Sequence, residues 1–147
     1  MSNGYMVFSQ SIAIGSDSLT QAIINKFNFE YTRAEEFKRN YGVVENVVEG
    51  KIYDVLSPII ESIIVEVRRG VEFYKNKTMS SAPTEYVLNG DGALLPGLSE
   101  YVSKSLGVNA QVANPWNNIQ VDNKFKDIIA KSGPSYSVAI GLALKDE

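Results

Sequence analysis

Two groups of residues in this 147-residue chain have the types and spacing that chemistry needs. The first lies in the stretch YVLNGDGALLPGL, from Tyr86 to Leu98. It reads as a short buried strand, a glycine turn and a helix opened by Pro96. That arrangement brings bare backbone amides up to a nucleotide or phosphate. The same stretch also reads as an ordinary strand–turn–helix connection, because Gly and Pro punctuate loops that bind nothing. The second group is made of carboxylates, Glu35 with Glu36 and Asp122 with Asp127, which a hydrolase would use as general acid and base. Neighbouring carboxylates on a helix point to different faces, and without a cleft partner they form a solvated surface. The chain has no histidine and no cysteine. Imidazole metal sites, histidine triads, thiolate sites and disulfides are therefore excluded. No catalytic residue and no metal ligand is assigned.

Composition bounds the rest. Apolar residues make up 44% and charged residues 21%, which is the balance of a globular domain. The length suits one domain with a core of its own. A net charge of −3 argues against a nucleic-acid surface, which needs a basic face. No apolar stretch is long enough to span a bilayer. Residues 1–5 lack the charged start and apolar run of a signal peptide, so a cytoplasmic location is expected.

These groups must be positioned by regular elements. Tyr5 to Ile14 is rich in β-formers and predicts a strand ending at Gly15. Ser16 is a good N-cap, and Leu19, Ile23, Ile24 and Phe27 then fall at helical spacing. Thr32 with Glu35 forms a capping-box pattern for a short helix reaching Tyr41 before Gly42. Residues 43–50 read as an irregular link or a first helical turn. Lys51 to Lys77 carries a continuous apolar stripe from Ile52 to Tyr74, with Pro58 inside it. The last third alternates. A strand is predicted at Glu85–Leu88, a helix at Pro96–Leu106 capped by Gly107, and a strand at Val108–Ala113. A loop around Trp116, a short helix at Asp122–Lys131, a break at Gly133-Pro134 and a final helix at Ser135–Leu144 follow. Strand–helix–strand–helix with short links predicts an α/β fold with a parallel sheet.

Four stretches, taken in order, resemble one family. They are Ile12 to Thr20 (IAIGSDSLT), Ala34 to Arg39 (AEEFKR) and Val65 to Tyr74 (VEVRRGVEFY). The fourth is Val87 to Leu98, followed by Val112 to Trp116 and Tyr136 to Leu144. Together they resemble the C-terminal lobe of an actin-like (ribonuclease H-like) ATPase. Within that class the chain is similar to the type IV pilus assembly protein PilM family, relatives of FtsA. The resemblance implies a sheet subdomain formed by residues 1–15 and 51–147, with a small inserted subdomain at 16–50. It implies ATP and Mg²⁺ in the intact parent protein, in a cleft between two lobes. Gly90, Asp91 and Gly92 would lie against the adenosine, and Glu35 and Lys38 would approach ribose and base. The charged pair also reads as an exposed helix pair of little energetic weight. Asp91 and Leu94 depart from the family pattern, as does Ser16 after Gly15.

The family's phosphate hairpin, an Asp-x-Gly followed by Ser or Thr, has no counterpart in the sequence. This chain alone is therefore expected to bind no nucleotide productively and to hydrolyse none. An unpaired sheet edge is expected where that hairpin's strands would lie, and with it self-association or a changed strand order. The resemblance further implies recruitment to the inner face of the membrane by the cytoplasmic tail of an inner-membrane pilus assembly protein. The competing expectation is an interaction module without nucleotide, anchored by exposed aromatics among Tyr41, Tyr53, Phe73, Tyr74, Tyr101 and Trp116.

Overall fold

The computed structural model describes residues 6–79, 81–119, 122, 124, 129 and 133–144. Chain contacts divide it into two compact units, Met1–Thr84 and Glu85–Glu147. The subdomains implied by the resemblance follow a different layout, with residues 16–50 set apart from 51–147.

The first unit is helical. Helix α1 (Ser16–Phe27), α2 (Tyr31–Tyr41) and α3 (Lys51–Thr78) pack on one another. In α3, Ile52, Leu56, Ile60 and Ile64 recur every four residues and are buried, so the helix turns one continuous stripe inward. Leu19 and Ile23 of α1, Ala34 of α2 and Val43 complete the core. Burying each large aliphatic side chain contributes about 1.5–3 kcal/mol. The helix runs through Pro58 as one element. Ser62 Oγ donates to the Pro58 carbonyl at 2.9 Å. Left-handed residues punctuate the helices. Asn28 (φ 53°) closes α1 with its N–H on the Ile24 carbonyl at 2.8 Å. Val48, Glu49 and Gly50 are left-handed in succession and turn the chain into α3.

The second unit holds strands β1 (Tyr86–Leu88) and β2 (Ala110–Val112), with α4 (Leu98–Leu106) between them. The strands pair in parallel, Tyr86 with Ala110 and Leu88 with Val112. Ser103 Oγ accepts from the Ala110 N–H at 2.9 Å and fastens α4 to β2. Gly107, left-handed, caps α4 as expected. Helix α5 (Gly133–Ala143) carries no charged residue and leaves Tyr136, Val138 and Leu142 exposed.

Several expectations are corrected. The strand expected at Tyr5–Ile14 is not formed over its described part: residues 6–14 have no regular secondary structure. Among the described residues no neighbouring strand lies beside it, and a strand is stable only when paired. The parallel sheet is accordingly reduced to two strands among the described residues, in a mostly helical molecule. Ser16 is the first residue of α1 rather than its cap, and Gly15 stands at the cap position. The Thr32–Glu35 capping box is not made, because α2 begins at Tyr31 with Glu30 at the cap position and Thr32 lies inside the first turn; the Glu35 carboxylate bonds Thr20 and Lys38 instead. Pro96 does not open α4. A 3₁₀ turn at Asp91–Leu94 comes first, and Gly97 caps the helix. Gly133 and Pro134 begin the final helix instead of breaking the chain, which suits the fixed φ of proline in a first turn. The expected helix at Asp122–Lys131 lies for the most part outside the described residues, as does Asp127.

Candidate functional site

The sequence singled out five residues, and they fall in different units. Glu35 and Lys38 sit three apart on α2, one helical face. They are not the exposed pair that their spacing also allowed. Lys38 is only 4% exposed. Its ammonium donates to Ser16 Oγ at 2.7 Å and Thr20 Oγ1 at 2.8 Å, and pairs with Glu35 Oε2 at 2.6 Å. It also reaches the Ser16 carbonyl at 3.3 Å. Thr20, fully buried, donates its hydroxyl proton to the same Glu35 oxygen at 2.8 Å. The other oxygen, Oε1, accepts from Arg39 Nε at 2.9 Å.

This ring of partners sets the electrostatics. Burial pushes the Glu35 carboxyl upward, but the hydrogen bonds from Lys38, Arg39 and Thr20 outweigh it and bring it down to about 2. The three N–H bonds of the Lys38 ammonium meet protein oxygens. Chemically the cluster is a lock between α1 and α2. Ser16 and Thr20 were missed as its partners. Their signal was the four-residue spacing, which places both hydroxyls on one face of α1.

Gly90, Asp91 and Gly92 follow β1 directly. Gly90 has φ 82° and ψ 175°, a region open essentially to glycine. Its N–H donates to the Pro134 carbonyl at 3.1 Å. The N–H groups of Asp91 and Gly92 have no backbone partner among the described residues. A Cβ added at Gly92 would meet no atom within 4 Å, so open space lies over this turn. The Asp91 carboxylate accepts from Ser135 Oγ at the start of α5.

Beside the turn, a cleft of about 340 Å³ opens at the carboxyl ends of the two parallel strands, where α/β proteins place ligands. Val87, Asn89, Val112, Asn114 and Ser137 line it. Asn89 adjoins the glycine turn, but Gly90, Asp91 and Gly92 are not in the lining. Among the described residues the Ser137 hydroxyl is buried there without a hydrogen-bond partner. Trp116, one of the candidate interface aromatics, is part of the scaffold instead. Its indole N–H donates to the Ile129 carbonyl at 3.1 Å, and its ring packs 6.0 Å from Tyr136. Phe73 is the aromatic of that set that stands exposed, at 53%. Among the described residues no cluster of acidic side chains could hold a metal ion, and no helix is long and apolar enough to cross a membrane.

Comparison with known proteins agrees with this order of elements. A chain of the solved "PilM-PilN type IV pilus biogenesis complex" is 34% identical to this one, with a TM-score of 0.75. The match covers 91% of this chain and 37% of that one. The profile of the family described as "Type IV pilus assembly protein PilM" matches residues 1–147. This chain therefore belongs to the PilM family of type IV pilus assembly proteins.

Proposed function

We propose that the chain contributes the adenosine side of a nucleotide cleft in an actin-like scaffold of type IV pilus assembly. The observation that carries this reading is the glycine turn after β1. Its Asp91 and Gly92 amides have no backbone partner among the described residues, open space lies above Gly92, and a cleft at the carboxyl ends of the parallel strands lies beside it. Gly90 lets the backbone bend into the turn, and Gly92 lets a ribose or base approach it. ATP and Mg²⁺ belong to this reading for the intact protein; this chain has no complete phosphate loop in its sequence and performs no hydrolysis by itself. A protein partner, as in the solved PilM–PilN complex, fits this reading; the family resemblance implies that it is the cytoplasmic tail of an inner-membrane protein, which would bring the scaffold to the inner face of the membrane.

Glu35 and Lys38 enter the reading from their own unit. For Lys38 to touch a nucleotide it must exchange one of its present partners. Glu35, with 21% of its side chain exposed, is the more accessible of the two.

A second reading, an interaction module without nucleotide, is favoured by two observations. The Asp91 carboxylate is already bonded to Ser135, and Lys38 is already saturated. Calorimetric titration with ATP and Mg²⁺ separates the readings. Saturable binding that is lost in Gly92→Ala supports the cleft, because a Cβ there meets no protein atom within 4 Å and enters the space above the turn. Absence of any binding heat supports the interaction module.

A further inference from the structure

Asp91 puts a carboxylate into a turn whose own amide, with that of Gly92, has no backbone partner among the described residues. The side chain is exposed yet held in place. Its Oδ1 accepts from Ser135 Oγ. Beside that bond, the Gly90 N–H donates to the Pro134 carbonyl at 3.1 Å. Two neighbouring bonds therefore fix the glycine turn to the first turn of α5, all within the second unit. A carboxylate has about four acceptor sites, so one hydroxyl donor leaves most of them for a ligand.

The charge decides which part of a ligand the turn can take. A phosphate brought against Asp91 would meet like charge. A neutral group carrying hydroxyls would meet an acceptor in the carboxylate and donors in the amides of Asp91 and Gly92. Each hydroxyl of a vicinal diol both donates and accepts, so a diol matches this mixed set. In the nucleotide reading the diol is that of the ribose. Glu35, which the family resemblance directs to the ribose, has already given Oε2 to Thr20 and Lys38 and Oε1 to Arg39. The bond that holds Asp91 comes from a neutral hydroxyl and leaves its charge uncompensated by that partner.

We propose that Asp91, oriented by Ser135, accepts a hydrogen bond from the ribose 2′-hydroxyl and so selects ribonucleosides over their 2′-deoxy counterparts. The inference rests on the nucleotide reading above and names the residue that sets its sugar specificity. Ser135 is a positioning residue. Its hydroxyl occupies one carboxylate oxygen and limits the rotation of the other, and it touches no ligand itself. Gly92 leaves the sugar room, since a Cβ there would meet nothing within 4 Å.

Adenosine tests this without needing a phosphate loop. Amide chemical shifts of the isotope-labelled chain report the place of binding and its affinity together. Adenosine should shift the amides of Asp91 and Gly92, and 2′-deoxyadenosine should bind about tenfold more weakly, the loss expected for one hydrogen bond to a charged group. Asp91→Ala should bring the two nucleosides to equal affinity. Ser135→Ala should reduce the preference to about threefold, because the carboxylate remains but is no longer held. The deoxynucleoside is the internal control in each variant, since a turn that was merely loosened would weaken both nucleosides alike. Where adenosine alone is too weak to register, ATP with Mg²⁺ and its 2′-deoxy analogue carry the same expectations. Equal affinity of the parent chain for the two nucleosides, with shifts at the turn, overturns the proposal and leaves the nucleotide reading standing. So does a preference that survives Asp91→Ala. A chain that binds neither adenosine nor ATP overturns both together.

Discussion

The Glu35–Lys38 cluster and the Gly90–Gly92 turn were drawn from the sequence as parts of one site, and physically they are opposites. In the cluster the polar atoms of Lys38, Thr20 and Glu35 hold each other at hydrogen-bond distance, most of them out of solvent. In the turn, amides lack backbone partners and the space above is open. A residue suited to chemistry by type has usually spent that capacity when it is buried among complementary partners, because unpaired burial is so costly. Capacity left over is found where the chain carries no side chain at all.

The contrast is broken or sharpened by four measurements. The largest effect is expected from Lys38→Ala, which strands a partly buried carboxylate and hydroxyl. It should cost about 3 kcal/mol in urea denaturation, the lower end for breaking a buried pair, since Glu35 keeps some contact with water. A cost near zero would make the cluster an ordinary surface pair. Next comes acid. Glu35 titrates near 2 when folded against 4.5 ordinarily. Its contribution is complete above pH 4.5 and fades as pH falls toward 2. Thermal midpoints of the parent chain should therefore fall as the pH drops from 4.5 toward 2, and Glu35→Gln should flatten that part of the profile. Third, Gly90→Ala forces a side chain into backbone space that only glycine occupies easily, at a cost of about 1–2 kcal/mol. The smallest effect is Gly92→Ala, expected within about 0.5 kcal/mol of the parent because the new methyl meets nothing. A large loss there would mean the turn is as filled as the cluster.

What could be read from the sequence was whatever a single element decides for itself. The α3 stripe, the left-handed Gly107 stop and both short strands of the second unit depend on local period and local backbone freedom. Residues 6–14 show the limit: alternation predicts how a strand would face but not whether a neighbour exists to pair it. The Lys38 environment shows the same limit for a site. Its spacing from Glu35 was visible along α2, while Ser16 and Thr20 come from another helix, fifteen or more residues away in the chain. The Thr32–Glu35 capping pattern failed for a local reason, since the helix begins earlier than the pattern requires, with Glu30 at the cap position and Thr32 inside the first turn.

The three left-handed residues before α3 have a consequence for phase. A helix cannot propagate backward through Val48, Glu49 and Gly50, so α3 has a fixed origin, like the zero of a ruler. Its inward marks at 52, 56, 60 and 64 are all counted from that point. A residue inserted before the stop is absorbed by the loop and leaves the marks aligned. One inserted between Lys51 and Leu56 rotates everything beyond it by about 100° and turns a different set of side chains to the core. The tolerance of this chain to insertions should therefore change abruptly across Gly50.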